Sequence, residues 1–289
     1  MIILGKVQQR NKIAIISGGT SGVGKRTALD LAKKNIQIIV LGRNKEKGMR
    51  VKNEILKESG NDNVEFYPID LCSLNEIQKF RSYLETKYDY IDILVNAAGI
   101  ILNDLTLTKE GYDQNFIINY LAHFWMINEL IPLLKNSDQG RILLIGAIPF
   151  VINHSNVELP KLERGKKYRG FKIVGESLVS RVLLTVALSE KIKDTNITTN
   201  IFHPGYVTDS NLGADLSWFA KLVGIILGTL FSKKNVPIGM ELALDPTFSN
   251  TSGQLFNEKR EIISLSSNYN KALADRLWHF SLKFYRSIA

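Results

Sequence analysis

The chain of 289 residues has a single cysteine, Cys72, so no internal disulfide can staple it, and that usage suits a reducing compartment. Its four histidines fall at no metal-ligand spacing, and His203 reads as a packed loop residue. There is no internal repeat and no low-complexity tract. Long hydrophobic runs are missing too: the most apolar stretch, 216–231, spans about sixteen residues, short of the roughly 20 that a membrane-spanning helix needs. The first strand starts within about a dozen residues of Met1, which leaves no room for a secretory leader and points to the cytosol. Lys and Arg total 37 against 28 Asp and Glu, a net charge of +9, but they are spread along the chain instead of forming the dense run expected of a nucleic-acid binder.

What the sequence does have is an apolar fraction of 45%, enough for a large core, and no linker that would divide it. It reads as one α/β domain over 1–289. The organising stretch is Ser17-Gly18-Gly19-Thr20-Ser21-Gly22-Val23-Gly24. An apolar segment, Ile13 to Ile16, precedes it, and Lys25 to Asn35 follows with Ala28, Leu31 and Ala32 at helical spacing. Strand, glycine turn and helix together form a seat for a dinucleotide pyrophosphate, because the helix start offers free N–H groups and the positive end of its dipole. A P-loop also fits Gly19 to Lys25 in outline. That motif next needs a Ser or Thr to hold magnesium, whereas Arg26 stands there and the hydroxyl of Thr27 comes one place late.

Strand-like and helix-like segments then alternate. Ile36 to Leu41 is a second buried strand, closed by Gly42-Arg43-Asn44. A carboxylate at this corner would select NAD through the ribose 2′-hydroxyl, and a cation would select NADP through its extra phosphate; Arg43 favours NADP(H), with NAD(H) as the alternative. Val64 to Ile69 is the third strand, and Asp70-Leu71 after it could bond an adenine amine or cap the next helix, which Ser73 to Glu76 opens in capping-box form. Ile91 to Val95 leads into Asn96-Ala97-Ala98-Gly99, small residues suited to backbone passing close beside a cofactor. Gly111 to Lys135 reads as a long helix carrying Asn119, and Arg141 to Ile145 as the fifth strand. Tyr168-x-x-x-Lys172 opens another long helix, where a spacing of four puts both side chains on one face. Ser252 to Phe256 is a further strand and Asn268 to Tyr285 a terminal helix.

Gly18-x-x-x-Gly22-x-Gly24, Asp70, Asn96-Ala-Ala-Gly99, Asn119, Tyr168-x-x-x-Lys172 and Pro204-Gly205-Tyr-Val-Thr208, in this order, resemble the short-chain dehydrogenase/reductase family. Arg43-Asn44 and the tail Leu273 to Trp278 are similar to its retinol-dehydrogenase-like branch. The resemblance implies a single doubly wound Rossmann domain, with a parallel sheet of about seven strands and helices on both faces. It implies NADP(H)-dependent interconversion of a carbonyl compound and its alcohol, with Tyr168 as proton donor or acceptor and Lys172 supplying the positive charge that eases loss of its proton. Asn119 would orient Lys172 through water, and Pro204, Gly205, Val207 and Thr208 would hold the nicotinamide carboxamide. The family's long helices, here those with Asn119 and Tyr168, commonly pair into homodimers.

One departure stands out. The family places a serine after the fifth strand to hydrogen-bond the reacting oxygen, and this chain has Gly146-Ala147. Loss of a comparable donor costs on the order of 10²-fold to 10³-fold in rate. Ser155, thirteen residues before Tyr168, is the candidate substitute. The other reading is an NADP-binding protein without catalysis, with a regulatory or sensing role. By the resemblance, the insertion at about 209–235 would be the substrate lid; its apolar run predicts a lipophilic substrate, with contact to a membrane surface or a simple buried helix as the alternatives.

Overall fold

In each of the first strands, alternate residues go to opposite sides. Ile13 and Ile15 of β1 (Ile13–Ser17) join one hydrophobic cluster, and Ala14 and Ile16 join another. The same division holds in β2 (Gln37–Gly42), where Ile39 and Leu41 part from Ile38 and Val40. Apolar residues on both faces require cover on both faces, which is why these runs read as continuous and not as alternating. The computed structural model describes residues 10–147, 149–155, 157–160, 168–204 and 237–289.

The strands form one parallel sheet in the order β3-β2-β1-β4-β5-β6-β7, with β3 at Val64–Pro68, β4 at Ile93–Asn96, β5 at Gly140–Ile145, β6 at Ile197–Phe202 and β7 at Leu255–Phe256. The order reverses between β1 and β4, and a crevice opens beyond the carboxyl ends of the strands at such a point. Helices α1 (Gly22–Ala32), α2 (Lys45–Ser59) and α7 (Ile238–Leu244) contribute to one core cluster. Helices α3 (Leu74–Glu85), α4 (Gln114–Lys135), α6 (Gly170–Lys191) and α8 (Lys271–Ile288) contribute to the other, and a short helix, α5 (Pro149–His154), follows β5.

The doubly wound sheet expected from the sequence is therefore observed. The expected segments 209–235 and 216–231 lie outside the described residues. Among these residues α4 alone is long and apolar enough to cross a membrane, and 83% of its apolar window is buried inside the protein, as befits a core helix. Its second turn, Ile117–Leu121, is a π-helix. Such wider turns recur at functional sites, and this one carries Asn119.

Candidate functional site

The glycine turn is built as the sequence requires. Gly18 has φ +64°, a left-handed conformation, and a Cβ there would come within 2.6 Å of the Ala98 Cα. A Cβ on Gly24 would lie 2.5 Å from the Gly18 carbonyl oxygen. The glycines thus let the turn lie flat on the loop after β4, at the reversal point of the sheet. Ser21, the N-cap of α1, is extended and makes no side-chain cap bond, so it leaves first-turn N–H groups available for an anion. Thr20 faces the end of β2, since a Cβ on Gly42 would meet its Cγ2 at 2.6 Å, and Val23 packs onto the core.

At the neighbouring strand ends, the Asn44 side chain accepts the Lys47 N–H at 2.8 Å and so caps α2. Arg43 is exposed. Asp70 accepts the Cys72 N–H at 3.0 Å, and its own N–H donates to Glu76 at 2.6 Å, closing the turn ahead of the helix that Ser73 caps. Leu71 is buried beside it. Burial, aided by Asp70, pushes the Cys72 thiol up to about 12 against the opposing charge of Arg43, so this thiol is no nucleophile at neutral pH.

Asn96 ends β4 fully buried, and neither side-chain polar atom has a partner among the described residues. An orphaned amide at the reversal point, next to an open helix start and a turn only glycine can make, fits a chain built to receive a polar ligand there. Gly99 is half-buried beyond it, and Pro204 is half-buried after β6. Gly205, Val207 and Thr208 lie outside the described residues. His203 donates its N–H to Phe256 at 2.8 Å, and burial holds its imidazole below the usual histidine value despite Glu258, in keeping with a packed loop residue.

The expected Tyr168–Lys172 pairing needs correction. Helix α6 begins at Gly170, and Arg169 before it is extended at φ −140° and ψ 96°. Tyr168 is therefore not on the helix, and the same-face rule for a spacing of four does not apply to it. Its phenol donates to Asp113 at 3.0 Å and accepts from Asn115 at 2.7 Å. Lys172 reaches Glu176 at 3.8 Å with its side chain 72% exposed. The two are not hydrogen-bonded to each other.

Further along α6, Arg181 is buried at the level of the strand ends. Its guanidinium donates to the carbonyls of Asn119 at 2.5 Å, Ile145 at 2.9 Å and Ala98 at 2.9 Å. Burial lowers its pKa to about 9, so it remains a cation at neutral pH. The Asn119 carbonyl is thus bound by an arginine, and the Asn119 side chain clasps both backbone polar groups of Ile100. From Arg181 back to Gly170 the helix rises by about 16 Å. On Arg181's own face, Leu178 and Val174 come one and two turns earlier, both apolar. Ser155 follows α5, which is tied to 264–269 by the bonds Asn153 to Ser264 and Tyr269 to Ile152. Ala147 is half-buried against the core at the end of β5.

The short chain dehydrogenase profile matches residues 12–151. Mouse retinol dehydrogenase 13 is 31% identical over 274 residues, covering 92% of this chain and 81% of its own. Human polyprenol dehydrogenase is 28% identical over 277 residues, covering 93% and 83%. Among solved structures, a short-chain dehydrogenase of Shigella flexneri complexed with NADP superposes with a TM-score of 0.68 at 19% identity, over 86% of this chain and 98% of that one. The chain belongs to the short-chain dehydrogenase family.

For a short-chain dehydrogenase, the profile match stops short of α6, where the geometry departs from expectation. Arg181, Asp113 and Asn115 were not singled out from the sequence. An arginine within the apolar run Ile173 to Leu188, and an asparagine one turn before Asn119, were the signals present.

Proposed function

We propose that this short-chain dehydrogenase binds NADP(H) at the carboxyl edge of its sheet and serves the interconversion of a lipophilic alcohol and its carbonyl compound. The observation that carries this reading is the glycine turn lying on Ala98 at the strand-order reversal, with the start of α1 open toward it. Relatives named for retinol and polyprenol favour a lipophilic alcohol, and structural neighbours complexed with NADP or NADPH favour the phosphorylated dinucleotide. A bound nicotinamide supplies hydride chemistry. The chain's part is to seat the diphosphate on Ser21 and Gly22, to pack Ala98 beneath the turn, and to hold a fixed cation, Arg181, at the strand ends.

A second reading, a dinucleotide-binding protein without turnover, is favoured by the surroundings of Tyr168. A phenolate there would face the Asp113 carboxylate, while the Lys172 ammonium lies beside Glu176, and Ala147 offers no hydroxyl to a reacting oxygen. NADPH oxidation with hydrophobic aldehydes and ketones, measured for wild type, Tyr168→Phe and Ala147→Ser, separates the two. Turnover abolished in Tyr168→Phe establishes the enzyme with Tyr168 as its proton donor. Bound NADPH with a silent wild type, rescued by Ala147→Ser, establishes the binder. No binding of either dinucleotide defeats both.

A further inference from the structure

Helix α8 sorts its residues into two rows. Ala274, Leu277, Ser281 and Phe284 are buried against the core, and Arg276, His279, Lys283 and Arg286 recur at spacings of three and four on the opposite side, all exposed. Along the axis, Arg276 and Arg286 lie about 15 Å apart. Carboxylates are missing from this outer row. Asp275 is the one acid of the helix, and it pairs with Lys191 at 3.0 Å, while Lys271 at the helix start pairs with Glu190 at 2.6 Å. Arg276, Lys283 and Arg286 have no ion pair among the described residues.

Ordinary solvation does not account for the row. A helix face that only meets water is mixed in sign, as on α2, where Glu46 and Glu58 are exposed beside Lys45, Arg50 and Lys57. Arg286, in the last turn, complements the negative end of the helix dipole, but Arg276 lies in the second turn and gains nothing from it. The borders of the row are apolar. Leu273 and Phe280 flank it on one side and Leu282 on the other, each half-buried. A straight row of unopposed cations is complementary in charge to a flat anionic surface, and its shoulders suit one with an apolar interior.

We infer that the outer face of α8 is a docking surface for an anionic lipid bilayer, with Arg276, Lys283 and Arg286 set on the phospholipid headgroups. The inference goes beyond the proposed redox chemistry and does not need it.

Co-sedimentation of the full chain with phosphatidylcholine vesicles, alone or with about one-third phosphatidylserine, tests it at about 0.1 M and about 1 M salt. The samples are wild type, Arg276→Gln/Lys283→Gln/Arg286→Gln, the corresponding triple Glu variant, and a control, Lys33→Glu/Lys34→Glu/Lys57→Glu, in the helix layer on the other face of the sheet. Thermal melts check folding. Wild type is expected to partition onto the anionic vesicles and to leave them in high salt. The Gln variant should partition about 100-fold less, the worth of three cations at such a surface, and the Glu variant less still. The control should lose less than about 5-fold, because its charges lie beyond a Debye length from the bilayer. Wild type that ignores anionic vesicles, equal losses in the control and the α8 variants, or equal binding to neutral vesicles in high salt overturns the inference. Wild type that passes the vesicles by and holds duplex DNA through the same three residues overturns it too, and gives the face to nucleic acid.

Discussion

His123 is fully enclosed, with its Nε2 2.9 Å from the Ala98 carbonyl oxygen. Burial first, and then the charge of Arg181, hold its imidazole neutral well below the usual 6.5. The unfolded chain takes up a proton there near pH 6.5 and the folded chain does not. Stability is therefore complete above that pH and falls as pH drops from 7 to 5, by up to about 2 kcal/mol from this residue. Urea unfolding at the two pH values should show the loss, and His123→Gln should flatten it. Arg181 works in the opposite sense, as a buried cation whose role is to satisfy carbonyls. Arg181→Leu strands those of Ala98, Asn119 and Ile145, and an expected loss of about 2–4 kcal/mol can be read from the urea midpoint.

Among the elements, the strand–turn–helix unit was the most legible, because each of its features is local. Ile13 to Ile16 show unbroken apolarity, and a left-handed turn announces itself by glycine. Gly18→Ala should cost about 1–3 kcal/mol in thermal or urea unfolding and weaken NADPH binding, since the added methyl meets backbone and not a movable side chain. The start of α6 was misread for the converse reason. Tyr168 and Lys172 have the right separation in sequence, but a spacing of four has meaning only inside a helix, and the chain at Arg169 is still extended. Lys172→Ala should change NADPH affinity less than 2-fold by fluorescence titration. The bond from Arg181 to Asn119 joins positions 62 residues apart, and no local pattern announces such a pairing.

At the scale of the molecule, α8 lies over the two long helices through which the family resemblance implies a homodimer. Trp278 meets Phe124 edge-on at 5.2 Å, Phe284 stacks on Trp125 at 6.4 Å, and Tyr285 donates to the buried Glu129 at 2.5 Å. The chain's own C-terminal segment thus covers this side of α4, and light scattering at micromolar concentration is expected to give the mass of one chain. Because Gly18 rests directly on Ala98, and Arg181 grips the Ala98 carbonyl from α6, pressure on the turn is felt by residues some 160 positions later in the chain. A guest settling there stiffens the β4 loop and α6 as one piece, and slowed amide exchange in both would report its arrival even in a chain that never completes a catalytic cycle.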